Sequence, residues 1–433
     1  MTSAPLRETR FRLSADSANA LANAYGTPLY VVDEAHFRSR IKTYRDAFLA
    51  ASPKGEISFA TKANSTVALI RIAYDEGCSI DVASEGELRA ALMAGVPASA
   101  CHLHGNNKQD SELSFALEKG IGMVVLDNFE EIEKVAKLDS THQTKYVIRL
   151  APGVDPITHA KISTGQADTK FGFNIVDGSA ERALLRSVEH GLPVIGFHCH
   201  VGSQLLDPEA QISGGELIAK FASEIKSKHG FETTYLNVGG GLGVRYTEND
   251  VPMDHADYCR EIVSAVNRAL EGSGLNPRLG QEPGRSLVAE SGVTLYRVGS
   301  VKTVPAKEIG TRTYAAVDGG LSDNPRPALY GSKYTVEAIR SESESLASYT
   351  ISGKHCETDK LFENVSLPSD LRSGDLLQVL CTGAYNSSMA SNYNRYQRPA
   401  TALIRMDGSH MLIQRADTWE EMLAREILPG DLT

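Results

Sequence analysis

No run of apolar residues in this 433-residue chain reaches the length needed to span a bilayer. The opening stretch, MTSAPLRETRFRLSADS, lacks the apolar core of a secretion signal. Basic runs are also missing: Lys and Arg number 44 against 54 Asp and Glu, a net charge of −10, which suits nucleic acid poorly. The six cysteines (Cys78, Cys101, Cys199, Cys259, Cys356, Cys381) form no CxxC pair, so they read as reduced thiols rather than a disulfide framework. Low-complexity segments are absent. The expectation is a cytoplasmic protein with neither membrane nor nucleic acid as partner.

What remains is the composition of an ordinary globular protein, 42% hydrophobic and 23% charged. From about residue 57 to 285, short apolar runs alternate with helical patterns. The strand candidates are ISFAT, SIDVAS, CHLHG, GMVVLDN, KYVIRL, VIGFHCH, TYLNVGG and RLGQEPG. Eight strand–helix repeats predict a parallel sheet closed into a TIM-like (β/α)8 barrel. TVALIRIAYDEG predicts a helix with Val67, Ile70, Ile72 and Tyr74 near one face, stopped at Gly77. SEGELRAALMAG predicts another, with Ser84 as N-cap and Glu87 completing a capping box.

After about residue 290 the pattern turns β-rich, with GVTLYRVGSVKTV, TRTYAAVDGG, YTVEAIR, SYTISGKHCE, GDLLQVLC, PATALIRMDG and HMLIQRAD. This predicts a separate all-β domain. TPLYVVDEA near the N-terminus is also strand-like. The expected division is a barrel over 36–290, with 1–35 and 291–433 forming the β domain.

Functional groups of a parallel barrel stand at the C-terminal ends of its strands. Those ends carry Lys62, Asp81, His104 with Asn106, Arg149, His200, the triplet Gly239–Gly240–Gly241, and Glu282 with Arg285. So many polar groups on one rim predict an active site. NVGGGLGV is a broken dinucleotide fingerprint, with Val244 where the third glycine belongs. Its glycines could instead cradle a phosphate, or simply make a tight turn. His198 and His200 in HCH share a strand face and could ligate a metal. Later strand ends lack the further ligands such a site needs, so no metal is expected. A flat imidazole against a cofactor ring is the alternative use of His200, and a core histidine the other. Lys62, the glycine turn and Glu282 together suggest pyridoxal 5'-phosphate. The lysine amine would form the Schiff base, the turn would hold the phosphate and the carboxylate would keep the pyridine nitrogen protonated. A half-buried Lys62 would have a more usable amine, because burial disfavours the charged form.

FATKAN, HCHVGSQ, NVGGGLG and QEPGRSLV resemble the barrel motifs of the fold-type III pyridoxal-phosphate decarboxylases. DNPRPALYG, GKHCETD and TGAYNSSMASNYN resemble the diaminopimelate decarboxylase branch of that family, and the likeness runs from about residue 25 to EMLAREI. The resemblance implies the alanine racemase/decarboxylase architecture and roles for particular residues. Lys62 would anchor the cofactor and His200 stack on its ring. Ser203, Gly239, Gly240, Gly241 and backbone around Gly284 would hold the phosphate, and Glu282 would meet the ring nitrogen. Arg285, Arg326 and Tyr330 would grip the substrate's distal carboxylate, and Glu357 its distal ammonium. Tyr385 would reach both phosphate and substrate. Cys356 would be the proton donor, contributed across a homodimer interface. The chain departs from the family pattern at Ala151, Thr358 and Asn386, none of which removes a proposed catalytic group.

The implied reaction is decarboxylation of meso-2,6-diaminopimelate to L-lysine and CO2, the last step of lysine biosynthesis. The alternative is a related decarboxylase acting on another carboxylated amino acid or polyamine precursor; a third reading is a non-enzymatic cofactor-binding protein. Guanidinium is the preferred bidentate partner of a carboxylate. A substrate without the distal carboxylate would leave buried arginines unpaired. A thiol that holds its proton at neutral pH can deliver it to a carbanion. Otherwise Cys356 is a small buried hydrophobe.

Overall fold

The computed structural model describes residues 10–153, 168–307, 309–340, 345–358 and 360–432. The N-terminal residues 1–9, part of the expected β domain, lie outside them. The chain forms two compact units. One comprises 38–244 and 250–287, the other 1–37, 245–249 and 288–433. Among the described residues no helix is long and apolar enough to cross a membrane.

The chain enters through β1 (Leu29–Asp33), which belongs to the second unit. The first unit is a closed parallel barrel of β2 (Glu56–Ala60), β3 (Ser79–Val82), β4 (Cys101–Leu103), β5 (Met123–Leu126), β6 (Lys145–Ala151), β8 (Val194–His198), β9 (Tyr235–Asn237) and β10 (Arg278–Gln281). A two-residue strand, β7 (Phe173–Asn174), pairs only with the end of β6. Closure comes from two pairings, Met123 opposite Lys145 and Gly280 opposite Glu56. Met123, Val125, Val147 and Tyr235 form a buried cluster with Ile195 packed on it, so the barrel interior is a filled core.

Each of the eight predicted runs overlaps one barrel strand, and these two helices form. Their details differ from the patterns. The helix Val67–Asp75 buries Leu69, Ile70, Ile72 and Ala73, leaving Val67 and Tyr74 only half-buried. Ser84 caps Glu85–Met93 by accepting from the Glu87 N–H, but Glu87 does not complete the box. Its carboxylate instead accepts from the Ala83 N–H and the Thr61 hydroxyl, tying this helix to the Lys62 turn.

The second unit is a nine-stranded sheet. Its strands are β1, β11 (Gly292–Ala306), β12 (Gly310–Val317), β13 (Val336–Ala338), β14 (Leu346–Ser352), β15 (Phe362–Pro368), β16 (Leu376–Leu380), β17 (Ala400–Ile404) and β18 (His410–Gln414). β1 sits centrally, antiparallel to β11 and parallel to β17. No sequence pattern signalled β15. Its edge position leaves Glu363 and Asn364 exposed and breaks the apolar alternation.

Candidate active site at the barrel's C-terminal rim

Lys62 lies in a single 3-10 turn, Thr61–Ala63, directly after β2. Its flanking residues Thr61 and Ala63 are buried, but Lys62 itself is exposed, which corrects the expectation of a half-buried lysine. The turn is held from below. Thr61 Oγ1 lies 2.8 Å from the Asp81 carbonyl, and the Ala60 N–H donates to the Pro283 carbonyl at 3.2 Å. A Cβ on Gly284 would stand 3.1 Å from both Ala60 and Ala63, so glycine lets the end of β10 press against the turn. The backbone of the turn is fixed by these contacts, and the Lys62 side chain lies near enough to Asp81 and His200 for its charge to act on both. Among the described residues the buried lysine is a different one, which the sequence reading missed. Lys108 is 1% exposed and its ammonium reaches Gly105 O, Val125 O and Glu131 Oε2 at 2.6–2.8 Å.

Glu282, 8% exposed, is the hub of the rim. Asn237 Nδ2 donates to Oε1 at 2.7 Å, and His198 Nε2 to Oε2 at 3.1 Å. His104 Nε2 stands 3.2 Å from Oε1 and 3.6 Å from Asp81 Oδ1. Burial opposes ionisation of Glu282, but His104 and His198 beside it outweigh burial and hold the carboxyl well below its usual range. Burial also draws His104 down, but Asp81 and Glu282 overcome it, so its imidazole titrates above the ordinary value. His198 is pushed down to about 4, chiefly by burial. It is therefore neutral at pH 7 and acts on Glu282 through its hydrogen bond, leaving His104 as the cation. Burial raises Asp81 to about 6, with His104 opposing. The His104 imidazole, its basicity raised, thus lies between two carboxylates.

The glycine turn is tied to the same hub. Asn237 Oδ1 accepts the Gly239 N–H at 2.8 Å, so one side chain grips both the turn and Glu282. Gly239 has φ 72°, the left-handed region that favours glycine. A Cβ on Gly240 would lie 2.1 Å from the Glu282 carbonyl. The Gly240 N–H points at His200 Nδ1, 3.4 Å away. Burial, then Lys62 and Arg149, lower the half-buried His200 imidazole well below its usual value, so it is neutral. Beside it, Arg285 Nη2 donates to Ser203 Oγ at 3.1 Å.

These groups suit pyridoxal phosphate. The buried, ionised Glu282 carboxylate is complementary to a protonated ring nitrogen, and the flat neutral imidazole of His200 to a ring face. The glycine turn with Ser203 and Arg285 suits a phosphate. His104, His198 and Glu282 have ligand atoms within 4.8 Å of one another, close enough for a metal ion. The donors directed at both oxygens of Glu282 favour the hydrogen-bonded reading. Among the described residues His200 does not join this cluster. His104, His198 and Asn237 are the supporting residues sequence reasoning undervalued; only the polar strand ends hinted at them.

The β unit holds two further groups. Arg326, 5% exposed, has its guanidinium carbon 5.2 Å from the Tyr330 ring and 5.3 Å from the Tyr385 ring. Tyr385 adopts φ 60°, an uncommon conformation for an aromatic residue. Cys356 is exposed, which removes the buried-hydrophobe reading. Its N–H donates to Asn394 Oδ1 at 3.0 Å, and Glu357 accepts from the Tyr393 hydroxyl. His355 stacks on Tyr393 with rings 5.9 Å apart. A Cβ on Gly320 would meet His355 Nδ1 at 2.5 Å, and one on Gly353 the Gly320 Cα at 2.7 Å. The loop leading to Arg326 and the loop carrying Cys356 therefore lie against each other through two glycines.

Residues 34–289 match the family described as pyridoxal-dependent decarboxylase, pyridoxal binding domain. The chain is 44% identical to diaminopimelate decarboxylase of Bacillus subtilis (strain 168), covering 94% of this chain and 93% of that protein. It is 43% identical to the Bacillus methanolicus diaminopimelate decarboxylase, over 91% and 92%. The fold matches a crystal structure of diaminopimelate decarboxylase from M. jannaschii in co-complex with L-lysine, with TM-score 0.89 and 30% identity over 100% and 99% of the two chains. It also matches the Helicobacter pylori diaminopimelate decarboxylase complexed with L-lysine, with TM-score 0.84 and 29% identity over 94% and 98%. This chain belongs to the diaminopimelate decarboxylase family of pyridoxal-dependent decarboxylases.

Proposed function

We propose that this chain decarboxylates meso-2,6-diaminopimelate to L-lysine and CO2. The observation that carries the reading is the rim geometry, in which an exposed amine on a fixed turn shares one barrel end with a buried, ionised Glu282. Bound pyridoxal phosphate supplies an electron sink for the pair left when CO2 departs. Lys62 holds the cofactor covalently. Glu282 stabilises a proton at the ring nitrogen, and His200 lies against the ring. Ser203, Gly239, Gly240, Gly241 and Gly284, with Arg285 and Tyr385, bind the phosphate. Arg326 and Tyr330, with Arg285 and Tyr385, receive the distal carboxylate, and Glu357 the distal ammonium. The Cys356 thiol delivers the proton that replaces CO2.

The exposure of Cys356 and Glu357 supports a homodimer in which each copy completes the other's site. The free cysteines support a cytoplasmic setting. Purified cofactor-loaded protein given meso-diaminopimelate should release CO2 and lysine in equal amounts. Faster turnover of another amino acid in a substrate panel would replace this reading with the alternative. Mixing Lys62→Ala with Cys356→Ala protein should restore part of the activity each lacks. No recovery on mixing would count against the shared site.

A further inference from the structure

Glu282 does not stand alone at the end of the barrel. We propose that His104 is a positioning residue for the ring nitrogen of the cofactor, its imidazolium shared between Asp81 and Glu282 so that Glu282 stays ionised and aimed. The inference rests on the proposed role of Glu282 and extends it by one residue.

The argument is geometric. His104 is 7% exposed, and its Nε2 is within 3.6 Å of a carboxylate oxygen from each of two strand ends, Asp81 and Glu282. Two buried carboxylates this close to one nitrogen repel each other unless a cation lies between them. The second imidazole, His198, meets the His104 ring at 5.1 Å with planes at 67°. Two touching imidazolium rings would also repel, so one proton is shared by the pair, and the two carboxylates draw it to His104. His198 is left to donate one hydrogen bond to Glu282 Oε2, and its buried Nδ1 has no hydrogen-bond partner among the described residues. The backbone fixes the arrangement, because the His104 N–H donates to Val82 O at 2.8 Å in continuation of the β3–β4 ladder.

The other charged or titratable groups turned toward His104 are Arg149 on β6 and His102 on its own strand, with Lys62 acting through Asp81. Arg149 is engaged with Asp127, 3.8 Å away, which leaves His104 as the cation between Asp81 and Glu282. Without that cation one of the two carboxylates takes up a proton. A protonated Glu282 could not act as counter-ion to the ring nitrogen. A histidine that merely filled space would have no such effect.

The test compares wild type, His104→Gln and Glu282→Gln as cofactor-loaded proteins. Three quantities are read: the pH titration of the bound cofactor's absorbance, the pyridoxal phosphate dissociation constant by fluorescence, and kcat against KM. For His104→Gln the absorbance midpoint should move by about one pH unit or more. The dissociation constant should rise, and kcat should fall about tenfold or more with KM changed less than about twofold. A His104→Gln protein that matches wild type in both the titration and kcat would overturn the inference. If Glu282→Gln is impaired in the same experiment, only the role of His104 falls. If Glu282→Gln also matches wild type, the reading of Glu282 falls with it. Should His104→Gln fail to fold, His104→Asn is read against the same outcomes.

Discussion

Two lysines of this chain exchange the roles that burial alone would assign. Lys108 is enclosed and bound to Glu131 and two carbonyls, whereas Lys62 is exposed on a rigid turn. Replacing Lys108 with Met strands the buried Glu131 carboxylate and should cost about 3–5 kcal/mol of stability, measured by denaturant unfolding. Lys62→Ala should leave the unfolding curve unchanged and abolish the absorbance of the covalently held cofactor. Reversed results would mean the two roles had been misread. Arg326 offers a third test at this scale. Lysine cannot reproduce its two-ring contact or its fork. Arg326→Lys should lower kcat/KM for meso-diaminopimelate by roughly 10–100-fold, the worth of a charged hydrogen bond, with the cofactor spectrum intact.

At the scale of elements, the glycines show where segments need close approach. Gly320 has φ 153° and lies against His355. Gly320→Ala should displace the loop carrying Cys356 and Glu357. Activity should fall more than stability, whose loss by overpacking is about 1–3 kcal/mol. Equal unfolding midpoints with full activity would show that the two loops are not coupled. This scale also marks how far the sequence could be read. The barrel strands were legible because each is a short apolar run bounded by turn residues, followed in most cases by a helical pattern. β15 was not, because an edge strand with exposed Glu363 and Asn364 lacks that alternation. Lys62, Glu282 and the glycine turn could be named as candidates from their strand ends. The exposure of Lys62, the double grip of Asn237 and the sharing of His104 could not. They depend on which strand ends converge across the barrel, and local pattern does not encode that.

The whole molecule responds to acid through its buried histidines. His255 is 8% exposed, its Nε2 accepts from Arg40 Nη2 at 3.2 Å, and burial followed by Arg40 pushes it down to about 3. His198 is pushed down to about 4. Both sit below the unfolded value near 6.5, so the unfolded chain binds more protons between those limits. Their contribution is complete above pH 6.5 and is lost as pH falls toward 3, roughly 3–5 kcal/mol each. Asp81, raised to about 6, opposes this over part of the range, because the folded state then binds the extra proton. His255→Gln keeps an acceptor for Arg40 without titrating. Its stability should therefore fall less than that of wild type between pH 6.5 and 4, as denaturant unfolding at several pH values would show. The closure of the barrel has a consequence for the order of events in biosynthesis. The turn bearing Lys62 follows the first barrel strand to leave the ribosome, yet Pro283 and Gly284, at the end of the last one, help lock it in place. Glu282, proposed to meet the ring nitrogen, arrives with that same strand. A nascent or truncated barrel therefore carries the Lys62 amine without its setting, and under the proposed role cofactor loading belongs after the chain has closed on itself.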